Sequence, residues 1–263
     1  MARNESVLLE IDGPIAIVTL NRPERLNAFD SSVWTGLKDV AEGIIQQPNV
    51  RVAIMTGAGD RAFSSGLDLK AATSEDPTAS VQHRDHFERL KDMKDTFSMY
   101  DTMSVPVIAA VNGYALGVGM EIALACDIRL ASERAVFSIP EVTLGIVPDM
   151  GGTQRLPRIV GPGMAKELIY TGWRIDAREA LRIGLVNHVY PHDQLMTEAR
   201  KMAETIADLP PAAIQGAKRA VNVAMSYSLD AGLNYETTVC VIAGSDRTTL
   251  AQRAAEFAKR KGG

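Results

Sequence analysis

Two short apolar runs, each closed by a turn with glycine, constrain the fold of this chain most. Residues 50–55 end at Thr56-Gly57, and residues 105–111 end at Asn112-Gly113. Runs this short and apolar are typical of strands buried on both faces. Helix-compatible stretches lie between the runs, and strands connected through helices pair in parallel. We therefore predict an α/β fold with a parallel core sheet.

Periodicity predicts further elements on both sides of these strands. Residues 7–11 and 15–20 form a hairpin around Gly13-Pro14, and Asp30 caps a helix with apolar positions 33, 37, 40 and 44. Residues 62–70 form a loop, 80–100 are compatible with a helix, 117–125 form a helix and 126–131 form a strand. Helical patterns cover 164–170, 176–182, 193–207, 211–225 and 229–259. We expect an α/β core in residues 1–200 and a helical region in residues 201–263.

Composition excludes several functional classes. The net charge is −4, so no basic excess indicates nucleic-acid binding. No apolar run reaches membrane-spanning length, and Glu10 interrupts the place where a signal peptide needs an apolar core. The four histidines are scattered, and neither Cys126 nor Cys240 lies at metal-ligand spacing. We expect a cytoplasmic protein with two free thiols and no metal.

Two glycine turns follow the predicted strands. Residues 61–70 read RAFSSGLDLK, where Gly66 allows a tight turn with free N–H groups, although a plain surface turn fits equally well. Residues 111–121 read VNGYALGVGME and pass from a strand through glycines into a helix. Unpaired amides at such a helix start suit a phosphate or an oxyanion, and tight packing explains the glycines equally well. The spacing matches neither a Walker loop nor a dinucleotide fingerprint.

A third segment places acids among apolar residues. Residues 137–156 read FSIPEVTLGIVPDMGGTQRL, with Glu141 and Asp149 in apolar surroundings. Burial raises the pKa of such carboxyls and suits them to proton transfer. An ion pair or a cap is the structural alternative, and Asp149 is placed to cap a helix that starts near Gly151.

Together the segments resemble the enoyl-CoA hydratase/isomerase (crotonase) family. They match its A-F-S-x-G-x-D loop, its N-G-x-A-x-G-x-G-x-E turn and its P-E-x-x-L-G-x-x-P-x-x-G-G-T-Q-R-L segment. Residues 21–28, NRPERLNA, resemble its N-R-P-x-x-x-N-A stretch. The resemblance implies a crotonase-like ββα spiral core with a helical C-terminal trimerisation region. It also implies a homotrimer, or a hexamer built as a dimer of trimers.

The resemblance assigns the chemistry to a few residues. The backbone N–H groups of Leu67 and Val118 match the family's oxyanion hole, although Val118 stands where glycine is common. Glu121 and Glu141 match the two glutamates that hold a water in the hydratases, and Glu141 matches the one that protonates C2. Asp149 stands where hydratases have glycine and resembles the acid of dienoyl-CoA isomerases.

Further residues match the family's CoA and substrate contacts, and they lie in all four segments and in the last helix. They are Arg25, Ala28, Ala62, Ser65, Gly66, Asp68, Leu69, Lys70, Tyr114, Leu116, Gly117, Pro140, Leu144, Phe257 and Arg260. The expected partner is an acyl-CoA thioester, and no cofactor is expected because CoA belongs to the substrate. Four functions stay open: a 2-enoyl-CoA hydratase, an enoyl- or dienoyl-CoA isomerase, a non-catalytic acyl-CoA-binding protein and a thioester hydrolase.

Overall fold

A computed structural model describes residues 5–70, 83–244, 250–251 and 254–255. Its larger sheet has six strands in the order β1-β2-β3-β5-β7-β10. The first two strands are antiparallel, and the others are parallel. These strands are β1 Val7–Asp12, β2 Ile15–Leu20, β3 Val52–Gly57, β5 Val107–Val111, β7 Ile128–Ser132 and β10 His188–Tyr190. Every residue of β3 and β5 is buried, as the apolar runs predict.

A second sheet has four short strands in the order β4-β6-β8-β9. They are β4 Ala62–Ser64, β6 Tyr114–Leu116, β8 Val136–Ser138 and β9 Ile175–Asp176. The first three are parallel, and β9 is antiparallel to β8. The prediction that residues 62–70 form only a loop was therefore wrong, and the predicted glycine turn between β5 and α3 contains the additional strand β6. Strands of three residues are too short to show an apolar alternation.

Nine α-helices lie in the described part of the chain. They are α1 Ser31–Ile45, α2 His83–Thr102, α3 Val118–Leu124, α4 Gly152–Val160, α5 Pro162–Thr171, α6 Ala177–Arg182, α7 Leu195–Ala207, α8 Pro211–Val223 and α9 Leu229–Ala243. Asp30 caps α1 as predicted, because its carboxylate accepts from the amides of Ser32 and Val33. Within the range 229–259 predicted as helical, α9 ends at Ala243 with its C-cap at Gly244, and residues 250–251 and 254–255 are helical again. The rest of that range lies outside the described residues.

The chain repeats a strand of the large sheet, a strand of the small sheet and then a helix. The pairs β3–β4, β5–β6 and β7–β8 each follow this order, and α2 and α3 follow the first two. The predicted ββα spiral is therefore confirmed. Because β4, β6 and β8 pair in parallel, the loops that follow them all leave the small sheet at the carboxyl ends of its parallel strands. Both glycine turns and Glu141 lie in these loops.

The chain separates into two compact units, residues 1–204 and 205–263. The first has a continuous apolar core, in which Phe29, Trp34 and Phe97 pack ring against ring. In the second, Gly216 of α8 lies against Val239 and Ala243 of α9. None of the helices in the described ranges is both long and apolar enough to span a membrane.

Candidate active site

The loop after β4 is held by backbone bonds to the segment that leads into α1. The N–H of Phe29 donates to the carbonyl of Gly66 at 2.8 Å, and the N–H of Asp68 donates to the carbonyl of Phe29 at 2.9 Å. This is a parallel bridge between Phe29 and Leu67. In such a bridge the bonded groups flank the paired residue, so the N–H of Leu67 points away from Phe29.

Two glycines bring this loop against the turn before α3. A Cβ at Gly66 would lie 2.8 Å from the Leu116 carbonyl oxygen and 3.8 Å from the Gly117 Cα. Both glycines have positive φ, at 96° and 53°. The backbone contact therefore joins the residues that precede Leu67 and Val118, the two predicted oxyanion-hole residues.

The backbone conformation at position 118 is compatible with valine. Leu26 and Asn27 are the non-glycine residues with positive φ in the described chain, so Val118 has an ordinary backbone conformation at the start of α3. Glycine is required at the two neighbouring positions instead: Gly117 has a positive φ, and a Cβ at Gly119 would lie 2.6 Å from the Ser64 carbonyl oxygen. Among the described residues, the amides of Leu67 and Val118 have no protein acceptor. Both amides are therefore suited to hold an oxyanion.

Glu121 lies one turn into α3 and is fully buried. Its Oε1 accepts from the N–H of Met150 at 3.0 Å and from the N–H of Gly152 at 2.7 Å. Its Oε2 is buried and has no hydrogen-bond partner among the described residues. Desolvation raises the pKa of Glu121 to about 8, with further increases from the charges of Glu141 and Asp149, while the two amides oppose the shift.

Glu141 begins the 3₁₀-helix Glu141–Leu144 and is 7% exposed. A Cβ on Gly117 would lie 2.8 Å from its Oε1, so this carboxyl sits directly beside the turn that starts α3. Its Oε2 is buried and, in the described part of the chain, has no hydrogen-bond partner. Desolvation raises the pKa of Glu141, and the charge of Asp149 raises it further.

Asp149 does not cap α4. The cap position is Gly151, with φ of 108° and no side-chain cap bond, so the capping interpretation was wrong. The Glu121 carboxylate takes the cap's role, since it binds the amides of Met150 and Gly152. Asp149 itself is exposed. Partial desolvation by neighbouring atoms raises its pKa, and the charge of His86 on α2 lowers it.

The predicted CoA-contacting residues of the first two segments lie together. The N–H of Ser65 donates to the Leu26 carbonyl at 2.9 Å, which joins the segment of Arg25 and Ala28 to the loop of Gly66. The Asp68 carboxylate pairs with Arg22 at 3.2 Å. Arg25, Leu69 and Lys70 are exposed, whereas Ala28 and Ala62 are buried and offer only backbone.

The remaining predicted contacts divide into two groups. Tyr114 and Leu116 belong to β6, and Pro140 and Leu144 flank Glu141, so all four lie in the strand and turn segments that carry the carboxyls. Phe257 and Arg260 lie outside the described residues. Within the described ranges, no group of three or more histidine, cysteine, aspartate or glutamate residues could hold a metal.

Sequence reasoning assigned no role to two arginines that hold the site's backbone. Arg22 bonds the Ala28 carbonyl at 2.6 Å and pairs with both Asp68 and Asp30. Arg155 bonds the Met150 carbonyl at 3.1 Å. Both lie inside the matched motifs, at NRPERLNA and GGTQRL, and this position was the available signal. Their partners are distant in sequence or lie on backbone, so the pattern alone did not reveal them.

The ββα spiral and this site define a class of protein: an enzyme that can hold an oxyanion on two backbone amides and move protons beside it with two buried carboxyls. The chain belongs to the enoyl-CoA hydratase/isomerase family, whose profile matches residues 10–254.

Similar proteins agree along most of the chain. A short-chain-enoyl-CoA hydratase from Clostridium acetobutylicum is 43% identical over 236 residues, which are 88% of this chain and 87% of that protein. The crystal structure of an enoyl-CoA hydratase from Bacillus anthracis superposes with a TM-score of 0.89 at 36% identity, over 97% of this chain and 96% of that one. A putative enoyl-CoA hydratase from Thermobifida fusca, solved with acetoacetyl-CoA, has a TM-score of 0.85 at 30% identity and covers 92% and 96%.

Proposed function

We propose that this chain is an enoyl-CoA hydratase, which adds water across the 2,3 double bond of a 2-enoyl-CoA thioester. The carrying observation is the pair of buried carboxyls, Glu121 and Glu141, each with an Oε2 that has no hydrogen-bond partner in the described chain. Leaving such atoms without a partner costs free energy, so these sites are usually satisfied by ordered water or by substrate. Two acids around one water supply the acceptor and the donor that hydration needs.

The proposed reaction moves two protons in a balanced way. The water oxygen forms a bond to C3 while Glu121 accepts one of its protons. The C2=C3 electron pair moves toward the thioester carbonyl, whose oxygen becomes an enolate held by the amides of Leu67 and Val118. Glu141 then gives its proton to C2 and restores the thioester. One oxyanion-hole donor is typically worth about 3 kcal/mol in the transition state.

The carboxyl pair carries one proton in the active form. Two interacting acids titrate as a pair, and the charge of Glu141 raises the pKa of Glu121. With the proton on Glu121, whose pKa is about 8, the free site is prepared to remove water from a 3-hydroxyacyl-CoA. With the proton on Glu141 instead, the site has the same net charge and is prepared to add water. Hydration and dehydration should therefore share one bell-shaped pH profile.

The acyl-CoA partner and the assembly belong to the same proposal. The motif residues of segments 22–28 and 65–70 would hold the CoA part, and no cofactor takes part in the proton transfers. The second unit, residues 205–263, would form the trimer contacts, and hexamers would be pairs of trimers. In support, α9 exposes large apolar side chains, among them Leu229, Val241 and Ile242. We propose a cytoplasmic enzyme.

Asp149 favours a second candidate, an enoyl- or dienoyl-CoA isomerase. Its charge raises the pKa of both glutamates, so it lies close enough to the pair to interact with it. An isomerase would move a proton between carbons with Glu141 and Asp149 and would not need Glu121.

Mass spectrometry on trans-2-butenoyl-CoA in ¹⁸O-labelled water tests the proposal. We expect rapid gain of one water, with the heavy oxygen in the acyl part, and no free CoA thiol. Glu121→Gln is the matched control and should abolish the gain. In deuterated water, exchange of substrate protons without water gain, retained in Glu121→Gln and lost in Asp149→Asn, would instead support the isomerase. Binding without any reaction across a range of chain lengths would support a non-catalytic role.

A further inference from the structure

Arg155, which is not one of the two candidate acids, contacts the 150–152 turn whose amides bond Glu121. Arg155 lies on α4, and its side chain is only 15% exposed. Its Nη1 donates to the Met150 carbonyl at 3.1 Å, its Nη2 donates to Ser98 Oγ at 3.1 Å, and its Nε lies 3.4 Å from an Asp101 carboxylate oxygen. The guanidinium therefore connects α2 to the turn before α4.

The backbone of the turn is shaped for this contact. Gly151 has φ of 108°, and a Cβ there would overlap Nη1 of Arg155. Any other residue at this position would have to displace the guanidinium from the turn. The glycine therefore serves two purposes: it allows the left-handed conformation and it leaves room for the arginine.

The same turn provides both hydrogen bonds to Glu121. The amides that donate to Glu121 Oε1 belong to Met150 and Gly152, the residues on either side of Gly151. Arg155 binds the carbonyl of Met150, so its contact lies on the peptide that joins Met150 to Gly151. A shift of this peptide would move both donors, while Glu121 is fixed on α3.

We propose that Arg155 is a positioning residue that sets the positions of the two amides that bond Glu121 by anchoring the 150–152 turn to α2. The inference rests on the proposed hydratase function for its kinetic consequences only. The guanidinium bonds three acceptors through three nitrogens, which a lysine ammonium cannot reproduce with the same geometry.

The pH dependence follows from the groups that face Glu121. The charges that act on Glu121 are those of Glu141 from the 3₁₀-helix and of Asp149 from the loop before the turn. The charge of His86 on α2 acts on Asp149, and Arg155 of α4 contacts the carbonyl of Met150. The two turn amides favour the charged form of Glu121. If they move away, the pKa of Glu121 rises, and the alkaline limb of the kcat/KM profile moves to higher pH.

The experiment compares Arg155→Met with Arg155→Lys and with Arg158→Met as the matched control. Arg158 lies on the same helix, is exposed and bonds only its own helix in the described chain, at the Gln154 carbonyl. We expect Arg155→Met to lower kcat about 10- to 100-fold with KM within about threefold, and to move the alkaline limb upward. Arg155→Lys should recover part of kcat, and Arg158→Met should match the unmodified enzyme.

A lowered melting temperature with unchanged kcat and an unchanged pH limb would overturn the proposal, because Arg155 would then be merely structural. If Arg155→Met does not fold, Asp101→Asn provides a weaker form of the same test, since it loosens the anchor and leaves the Met150 contact. The crystal structure of the folded variant is a readout without activity. If the unmodified protein hydrates nothing, the proposed function fails, yet the positions of the Met150 and Gly152 amides still decide the positioning role.

Discussion

Glu121 and Glu141 belong to two regions that hold a carboxyl in opposite ways. Glu121 is on an α-helix inside the core, and two backbone amides fix one of its oxygens. Glu141 starts a short 3₁₀-helix, retains slight exposure and lies against Gly117. The first carboxyl is therefore fixed by donors and strongly desolvated, whereas the second is less desolvated and lies beside the turn that starts α3.

This difference in surroundings gives two chemically identical side chains different proton affinities. Deeper burial gives Glu121 the higher proton affinity in the free site, despite the amides that favour its charge. Different surroundings can thus suit two glutamates to opposite roles as acid and base. Three predictions test this comparison.

The largest effect should come from removing either acid. We expect Glu121→Gln to lower kcat for hydration about 10³-fold, because the group proposed to accept the water proton is lost. Glu141→Gln should cost a similar factor. The two variants differ in a second assay, deuterium exchange at C2 of a bound saturated acyl-CoA. Glu141→Gln should lose this exchange and Glu121→Gln should keep it. Equal loss in both variants would contradict the separate roles.

A second prediction concerns stability. The pKa of Glu121 is raised from 4.5 to about 8 on folding, so its neutral form is the favoured one in the folded state. The group imposes no penalty below pH 4.5, and stability falls as pH rises from there to about 8. Glu121→Gln removes that penalty. Its advantage over the unmodified protein should grow by up to about 4 kcal/mol between pH 5 and pH 9.

Urea unfolding at a fixed protein concentration measures this advantage, and the fixed concentration matters because oligomers gain stability by mass action. Glu141→Gln is the matched comparison and should show the same sign with a smaller gain, because this carboxyl is less desolvated. A difference that does not change with pH would show that burial does not control the proton on Glu121.

The smallest effect should come from Asp149→Asn. The charge of Asp149 raises the pKa of both glutamates, so its removal should move both limbs of the kcat/KM profile to lower pH. We expect shifts below about one pH unit and a maximal rate within about tenfold, because Asp149 is exposed and water screens its charge. Hydration rates measured from pH 5 to 10 test this. A loss above about 10²-fold would make Asp149 a proton-transfer group.

Hydrophobic patterns that extend over five or more residues predicted the main strands and the first helix of the fold. The buried strands β3 and β5, the β1–β2 hairpin and the Asp30 cap of α1 are all confirmed. The small sheet was missed because its strands have two or three residues and its pairs join distant segments. Motifs singled out the segments of the candidate acids, which the structure brings together, but they did not indicate which amides bond Glu121 or which arginine contacts that turn.

The sequence by itself determined the class of fold, the family and the segments that carry the site, because these depend on local periodicity and on ordered motifs. Only the tertiary structure decided how the carboxyls differ. The donors of Glu121 lie 29 and 31 residues away along the chain, and Arg155 reaches residues 54 and 57 positions distant. Desolvation and hydrogen bonding depend on which distant atoms meet in space, and no local pattern encodes that meeting.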